Sequence, residues 1–150
     1  MNDELSLTLE RTYPAPAQRV FDAFTSEEVM RRWWHVRTNW DTPEAKVDLR
    51  IGGEIRVKMH DPDKDMIYGG RGTYTEIDPP RRLAFSWIWD DVRVDDKPVE
   101  TRIEIDFTES DGRTKVRFTH RDLWSEEAVA DHKDGWDGCL ENLRREVESG

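Results

Sequence analysis

The sequence predicts an α+β domain in which an antiparallel sheet packs its apolar face against helices, the longest of them at the C-terminus. Three observations lead there. Apolar and polar residues alternate with period two in seven segments between Leu5 and His120, the pattern of strands with one buried face. Between Ser125 and Glu148 the apolar residues instead recur at spacings of three and four, the pattern of a helix with one buried stripe. Breaks rich in Pro, Gly and Asp separate the segments.

The elements follow in order. Leu5, Leu7 and Leu9 open a strand that runs to Tyr13 and stops at Pro14 and Pro16. Ala17 to Phe24 forms a short helix with Val20, Phe21 and Phe24 on one face; Thr25-Ser26-Glu27-Glu28 then caps a second short helix reaching Trp33. Val47, Leu49 and Ile51, then Ile55, Val57 and Met59, predict a hairpin turning at Gly52-Gly53. After the loop Asp61–Asp65 a strand spans Ile67 to Ile77, where Gly69, Gly70 and Gly72 permit bending or close backbone approach. Asp78-Pro79-Pro80 ends it. Leu83, Phe85, Trp87 and Trp89 share a face of the next strand, a loop covers Asp90–Lys97, and Thr101, Ile103, Ile105 and Phe107 resume the alternation. Asp111-Gly112 signals a tight turn into the last strand, with Val116, Phe118 and His120 on one side. Val129, His132, Trp136, Cys139, Leu140, Leu143 and Val147 line the buried stripe of the final helix. The predicted order is β-α-α, six further strands, then α, within a single domain over residues 1–150.

Composition narrows the function classes. With 33 acidic against 23 basic residues the net charge is −10, a field that repels nucleic acid and anionic lipid, so neither is an expected partner. No apolar run approaches the roughly 20 residues that a membrane span needs. The single Cys139 forms no internal disulfide, and residues 1–13 lack the basic start and apolar run of a secretory signal, so a cytoplasmic location is expected. Seven Trp in so small a domain suggest that several serve a cavity or interface beside the core.

The chain resembles the activator-of-heat-shock-ATPase-like domains of the helix-grip superfamily, which includes START lipid-binding domains and pollen-allergen-like proteins. The resemblance rests on Pro14-Ala15-Pro16-Ala17-Gln18-Arg19-Val20-Phe21-Asp22-Ala23-Phe24, on Arg32-Trp33-Trp34, and on Val47-Asp48-Leu49-Arg50-Ile51-Gly52-Gly53. It continues through Ile77-Asp78-Pro79-Pro80-Arg81-Arg82-Leu83-Ala84-Phe85-Ser86-Trp87 and closes with Gly135-Trp136. Asp61-Pro62-Asp63-Lys64 departs from a family pattern that often has Gly after the Pro-Asp pair. The resemblance implies the helix-grip fold, a strongly curved antiparallel sheet wrapped around the long C-terminal helix, and an apolar, aromatic-lined internal cavity rather than a filled core. It implies no single reaction, because the superfamily holds carriers, cyclases, ring-hydroxylase subunits and chaperone cofactors.

The candidate ligand-binding residues are Trp33, Trp40, Met59, Trp87, Trp89, Phe107, Phe118, His120 and Trp136. Inward aromatics on a curved sheet either fill the space or line a pocket, and small-molecule sites favour aromatic walls with few polar groups. Trp33, Trp34 and Trp40 belong to the cavity entrance or to the packing of the short helices. His120 either orients the polar end of a ligand or is a core histidine satisfied by a neighbour. No nucleophile elbow, phosphate loop or dinucleotide fingerprint occurs, and Cys139 on an apolar helix face reads as an inert thiol. Asp61, Asp63 and Asp65 imitate a calcium loop, but Met66 replaces its glycine and Gly72 its bidentate Glu, so no metal or cofactor is expected.

The leading expectation is therefore capture of a small hydrophobic, aromatic or lipid-like molecule. The alternatives are stimulation of a heat-shock chaperone's ATPase, as the resemblance implies, and a cavity enzyme such as a cyclase or hydrolase with His120 as general base. An open sheet edge leaves both monomer and homodimer as expected states.

Overall fold

The computed structural model describes residues 5–149, and the reading of residues 1–4 lies outside them. The helix-grip architecture expected from sequence is present: a curled antiparallel sheet of seven strands with a long C-terminal helix across its concave side. Strand β1 (Leu7–Tyr13) is followed by helices α1 (Ala17–Thr25) and α2 (Glu27–Trp33), then β2 (Asp41–Val47), β3 (Glu54–Asp61), β4 (Met66–Asp78) and β5 (Arg82–Trp89). A two-stranded ribbon, β6 (Arg93–Val94) with β7 (Lys97–Pro98), leads to β8 (Thr101–Ser110), β9 (Arg113–Arg121) and α3 (Glu126–Ser149). The order across the large sheet is β1-β9-β8-β5-β4-β3-β2.

Period-two alternation becomes rows of side chains across neighbouring strands. Leu83, Ile105, Phe118 and Leu9 stand in one buried row; Phe85, Ile103, His120 and Leu7 stand in the next. Helix α3 lays Trp136, Cys139, Leu140, Leu143 and Val147 onto this surface. On its other flank α1 packs Phe21 and Phe24 edge-on against Phe107, with centroids at 5.4 and 5.6 Å.

The helix starts are satisfied locally. Ser26 Oγ accepts the Val29 N–H at 3.4 Å, and Ser125 Oγ accepts that of Ala128 at 3.0 Å. Pro16 offers α1 no side-chain oxygen, so Glu109 of β8 supplies the cap by accepting the Ala17 N–H at 2.8 Å. At the β8–β9 turn Asp111 and Gly112 both take positive φ, 56° and 74°, as a tight primed turn requires.

Two boundaries differ from the sequence reading. The hairpin strand predicted over Val47–Ile51 lies earlier, at Asp41–Val47, and Leu49 and Ile51 are 41% and 61% exposed on the turn. The buried positions of β2 are Thr42 and Ala45, too small and polar to mark a strand, whereas Asp48 folds the turn by accepting from Arg50 at 2.8 Å. The β6–β7 ribbon arises inside the expected loop Asp90–Lys97, where positive φ at Asp95 and Asp96 closes a turn between strands too short to show periodicity. Among the described residues no helix is long and apolar enough to cross a membrane.

Candidate functional site

A cleft of about 590 Å³ opens between the N-terminal half of α3 and the lower ends of β3, β4 and β5. That volume lies within the range of small-molecule sites. Five of the seven Trp line it: Trp34, Trp40, Trp89, Trp124 and Trp136, joined by Tyr68 and Met59. The segment after α2 brings Trp34, Val36 and Trp40, while Trp124 stands at the step from β9 into α3.

Close backbone contact shapes the walls. Residues His132, Gly135, Trp136 and Cys139 of α3 are spaced for one helix face, and all four line the cleft. A Cβ at Gly138 would lie 2.1 Å from the Val36 carbonyl oxygen, so α3 touches the main chain of the Trp34–Trp40 segment there. A Cβ at Gly70 would lie 2.3 Å from the Trp87 ring, which is how the β4 glycines let an indole lie on the sheet. Trp40 and Tyr68 stack nearly parallel, with centroids 5.5 Å apart and planes 7° from each other.

The hydrogen bonds fix two histidines as neutral and in opposite tautomers. Trp136 donates its indole N–H to His120 Nδ1 at 3.0 Å, so His120 carries its proton on Nε2 and donates it to Thr101 Oγ1 at 2.8 Å. The Thr101 hydroxyl in turn donates to the Trp87 carbonyl at 2.7 Å. His132 donates Nδ1–H to the Ala128 carbonyl at 2.7 Å and accepts the Trp89 indole N–H on Nε2 at 2.9 Å. Burial, and for His120 the neighbouring His132, hold both histidines below their ordinary range, His120 far below it. Trp34, only 1% exposed, finds no acceptor for its indole N–H among the described residues.

Charge is confined to the mouth. Arg37 pairs with Asp134 at 3.1 Å, and Asp61 Oδ1 accepts the backbone N–H groups of Asp63 and Lys64, which holds the β3–β4 turn. Asp91, Asp131 and Lys64 line the cleft without an ion-pair partner among the described residues. Of the other residues that had suggested a calcium loop, Asp65 bonds His60 at 3.0 Å. Cys139 reaches the cleft from the core side, and burial pushes its thiol well above the ordinary range.

Of the residues predicted from sequence, the structure brings Trp40, Met59, Trp89 and Trp136 together on the cleft. Trp33, Trp87, Phe107 and Phe118 lie behind it in the packed core, and His120 is buried beside them. Trp33 donates its indole N–H to the Ala23 carbonyl at 2.8 Å, and Phe118 sits 4.5 Å from the Trp136 ring. Both nitrogens of His120 are engaged and the residue is 0% exposed, so it presents neither a base nor a donor to the cleft. Trp124, Tyr68 and the charged rim escaped sequence reasoning; the one signal was Trp124 immediately before the Ser125 cap.

The model of the activator of Hsp90 ATPase homolog 1-like proteins matches residues 14–148. None of the curated proteins matches the chain. Among solved structures, a Chromobacterium violaceum protein superposes with a TM-score of 0.86 at 19% identity, covering 96% of this chain and 97% of that one. An AHSA1-like protein from Aeromonas hydrophila is 26% identical with a TM-score of 0.78, covering 96% and 92%. CalU16 from Micromonospora echinospora is 24% identical with a TM-score of 0.72, covering 95% and 75%.

Proposed function

The chain belongs to the family of activator of Hsp90 ATPase homolog 1-like proteins, and on that premise we propose that it is a binding domain that captures a small, largely apolar molecule in the aromatic cleft. The observation that carries this is the concentration of Trp: five of the seven line one opening, with Tyr68 and Met59 beside them. A protein core gathers aromatics for burial alone, but here Trp40, Trp89 and Trp124 remain partly exposed, an apolar surface that a ligand of matching shape would cover.

The polar groups support binding over chemistry. The lone pair of His132 Nε2 is taken by Trp89, the Cys139 thiol is held protonated, and His120 is sealed off. Ligand capture stands ahead of the chaperone reading because the cleft supplies a physical feature for it, whereas the chaperone role rests on kinship alone. A cytoplasmic setting belongs to the same proposal, and the free, buried Cys139 fits it.

The test is native mass spectrometry and thermal shift against a library of aromatic and lipid-like molecules, repeated with Trp40→Ala and Trp124→Ala. A retained ligand whose affinity falls about tenfold or more in each variant, with the fold intact, is the expected result. Ligands that bind equally well to both variants, or none retained from the library, would overturn the proposal.

A further inference from the structure

We infer that the molecule the cleft takes is an organic cation: an ammonium group carried on an apolar or aromatic body, held between indole faces and the carboxylates of Asp91 and Asp131. The inference rests on the cleft being the binding site and adds the charge of its ligand.

The walls offer π-surface more than donors. Trp89 and Trp136 spend their indole N–H groups on His132 and His120, so their rings reach the cleft without them. Indole and phenol faces carry negative quadrupole charge and attract a cation within about 6 Å, Trp most strongly. Trp40 and Tyr68, stacked on one another, form a second slab of such surface.

The rim selects the same sign. Four carboxylates line the cleft, Asp61, Asp91, Asp131 and Asp134, against two cations, Arg37 and Lys64. Arg37 is neutralised by Asp134 at 3.1 Å, and Asp61 is engaged with its own turn. The charges left for a ligand are therefore two carboxylates, Asp91 and Asp131, and one ammonium, Lys64. An anionic headgroup would meet one cation, two repelling carboxylates and electron-rich ring faces. The net charge of −10 adds a long-range field that draws cations and repels anions. Trp34 also lines the cleft, and its indole N–H, without an acceptor among the described residues, leaves one hydrogen bond for an acceptor on the ligand body.

The test uses three probes of one shape: phenylbutyl-trimethylammonium, its neutral analogue with carbon in place of the quaternary nitrogen, and phenylbutyl sulfonate. Titration calorimetry is run on the full chain at low and high salt. The cation should bind about tenfold tighter than its neutral isostere, the sulfonate weakest, and added salt should narrow the gap. Asp91→Asn and Asp131→Asn should each shrink the cation's lead and leave the neutral probe's affinity unchanged. Equal affinity for cation and isostere, or preference for the sulfonate, would overturn the charge assignment and leave the cleft as the site. Failure of all three probes to bind would overturn both.

Discussion

Replacing Thr101 by Val keeps the shape of a buried side chain and removes the hydroxyl oxygen to which the His120 imidazole donates. In the native chain Thr101 Oγ1 accepts His120 Nε2–H at 2.8 Å and donates to the Trp87 carbonyl at 2.7 Å. Thr101 and His120 are 2% and 0% exposed, so no water replaces the lost acceptor. An orphaned buried donor costs about 1–3 kcal/mol and a lost neutral hydrogen bond about 1 kcal/mol, so Thr101→Val should destabilise by about 2–4 kcal/mol. With a urea slope of about 2 kcal/mol per molar, the unfolding midpoint should fall by roughly 1–2 M with the slope unchanged. His120 cannot escape by taking its proton to Nδ1, because that atom accepts from Trp136 at 3.0 Å. The assay is urea denaturation of both proteins, with nitrogen NMR of the imidazole to read the tautomer. A midpoint shift equivalent to less than about 1 kcal/mol, or a native His120 protonated on Nδ1, would refute the relay.

The other predictions concern pH, two glycines and the thiol. His120 is held neutral when folded and takes a proton below about pH 6.5 when unfolded. The unfolded chain then binds more protons, so stability is complete above that pH and falls by about 1.4 kcal/mol per pH unit below it. His35 and His132 act in the same direction, while His60, raised by its hydrogen bonds to Asp65 and Asp41 on the surface, opposes them weakly; a urea midpoint constant from about pH 7.5 to 5.5 would contradict this. Gly138→Ala places a methyl 2.1 Å from the Val36 carbonyl and should cost about 1–3 kcal/mol or more, whereas Gly135→Ala meets only Val36 Cγ2 at 3.6 Å and should be neutral or stabilising. Thermal unfolding of the two variants checks the contrast, and equal losses would refute it. Cys139, 2% exposed with a raised pKa, should react with a thiol reagent only as fast as the chain opens, and fast labelling under native conditions would count against its burial.

Much of the fold was legible because its strands carry strict period two and α3 a clear helical stripe. Leu83, Phe85 and Trp87 face inward as the alternation predicts, and His120 lies in their neighbourhood. What alternation cannot report is the partner across a gap: that Thr101 and Trp136 would satisfy both nitrogens of His120 depends on register and on where α3 crosses the sheet. The same limit applies to Trp87 and Phe118, whose inward direction is visible in the pattern but whose depth is not. The cleft lies lower, where Trp34–Trp40 and Trp124 bridge elements without any periodicity. Leu49 and Ile51 show the reverse failure, an apolar alternation on an exposed turn. There Asp48 and the glycines determine the backbone, and hydrophobicity has no part in it.

The most direct test of the cleft as the binding site is a nitrogen–proton NMR titration of the seven indole N–H resonances with phenylbutyl-trimethylammonium. Saturable shifts should appear at Trp34, Trp40, Trp89, Trp124 and Trp136, while Trp33, whose N–H is bonded to Ala23 in the core, stays in place. Shifts absent from the five cleft resonances, or spread evenly over all seven, would contradict the account.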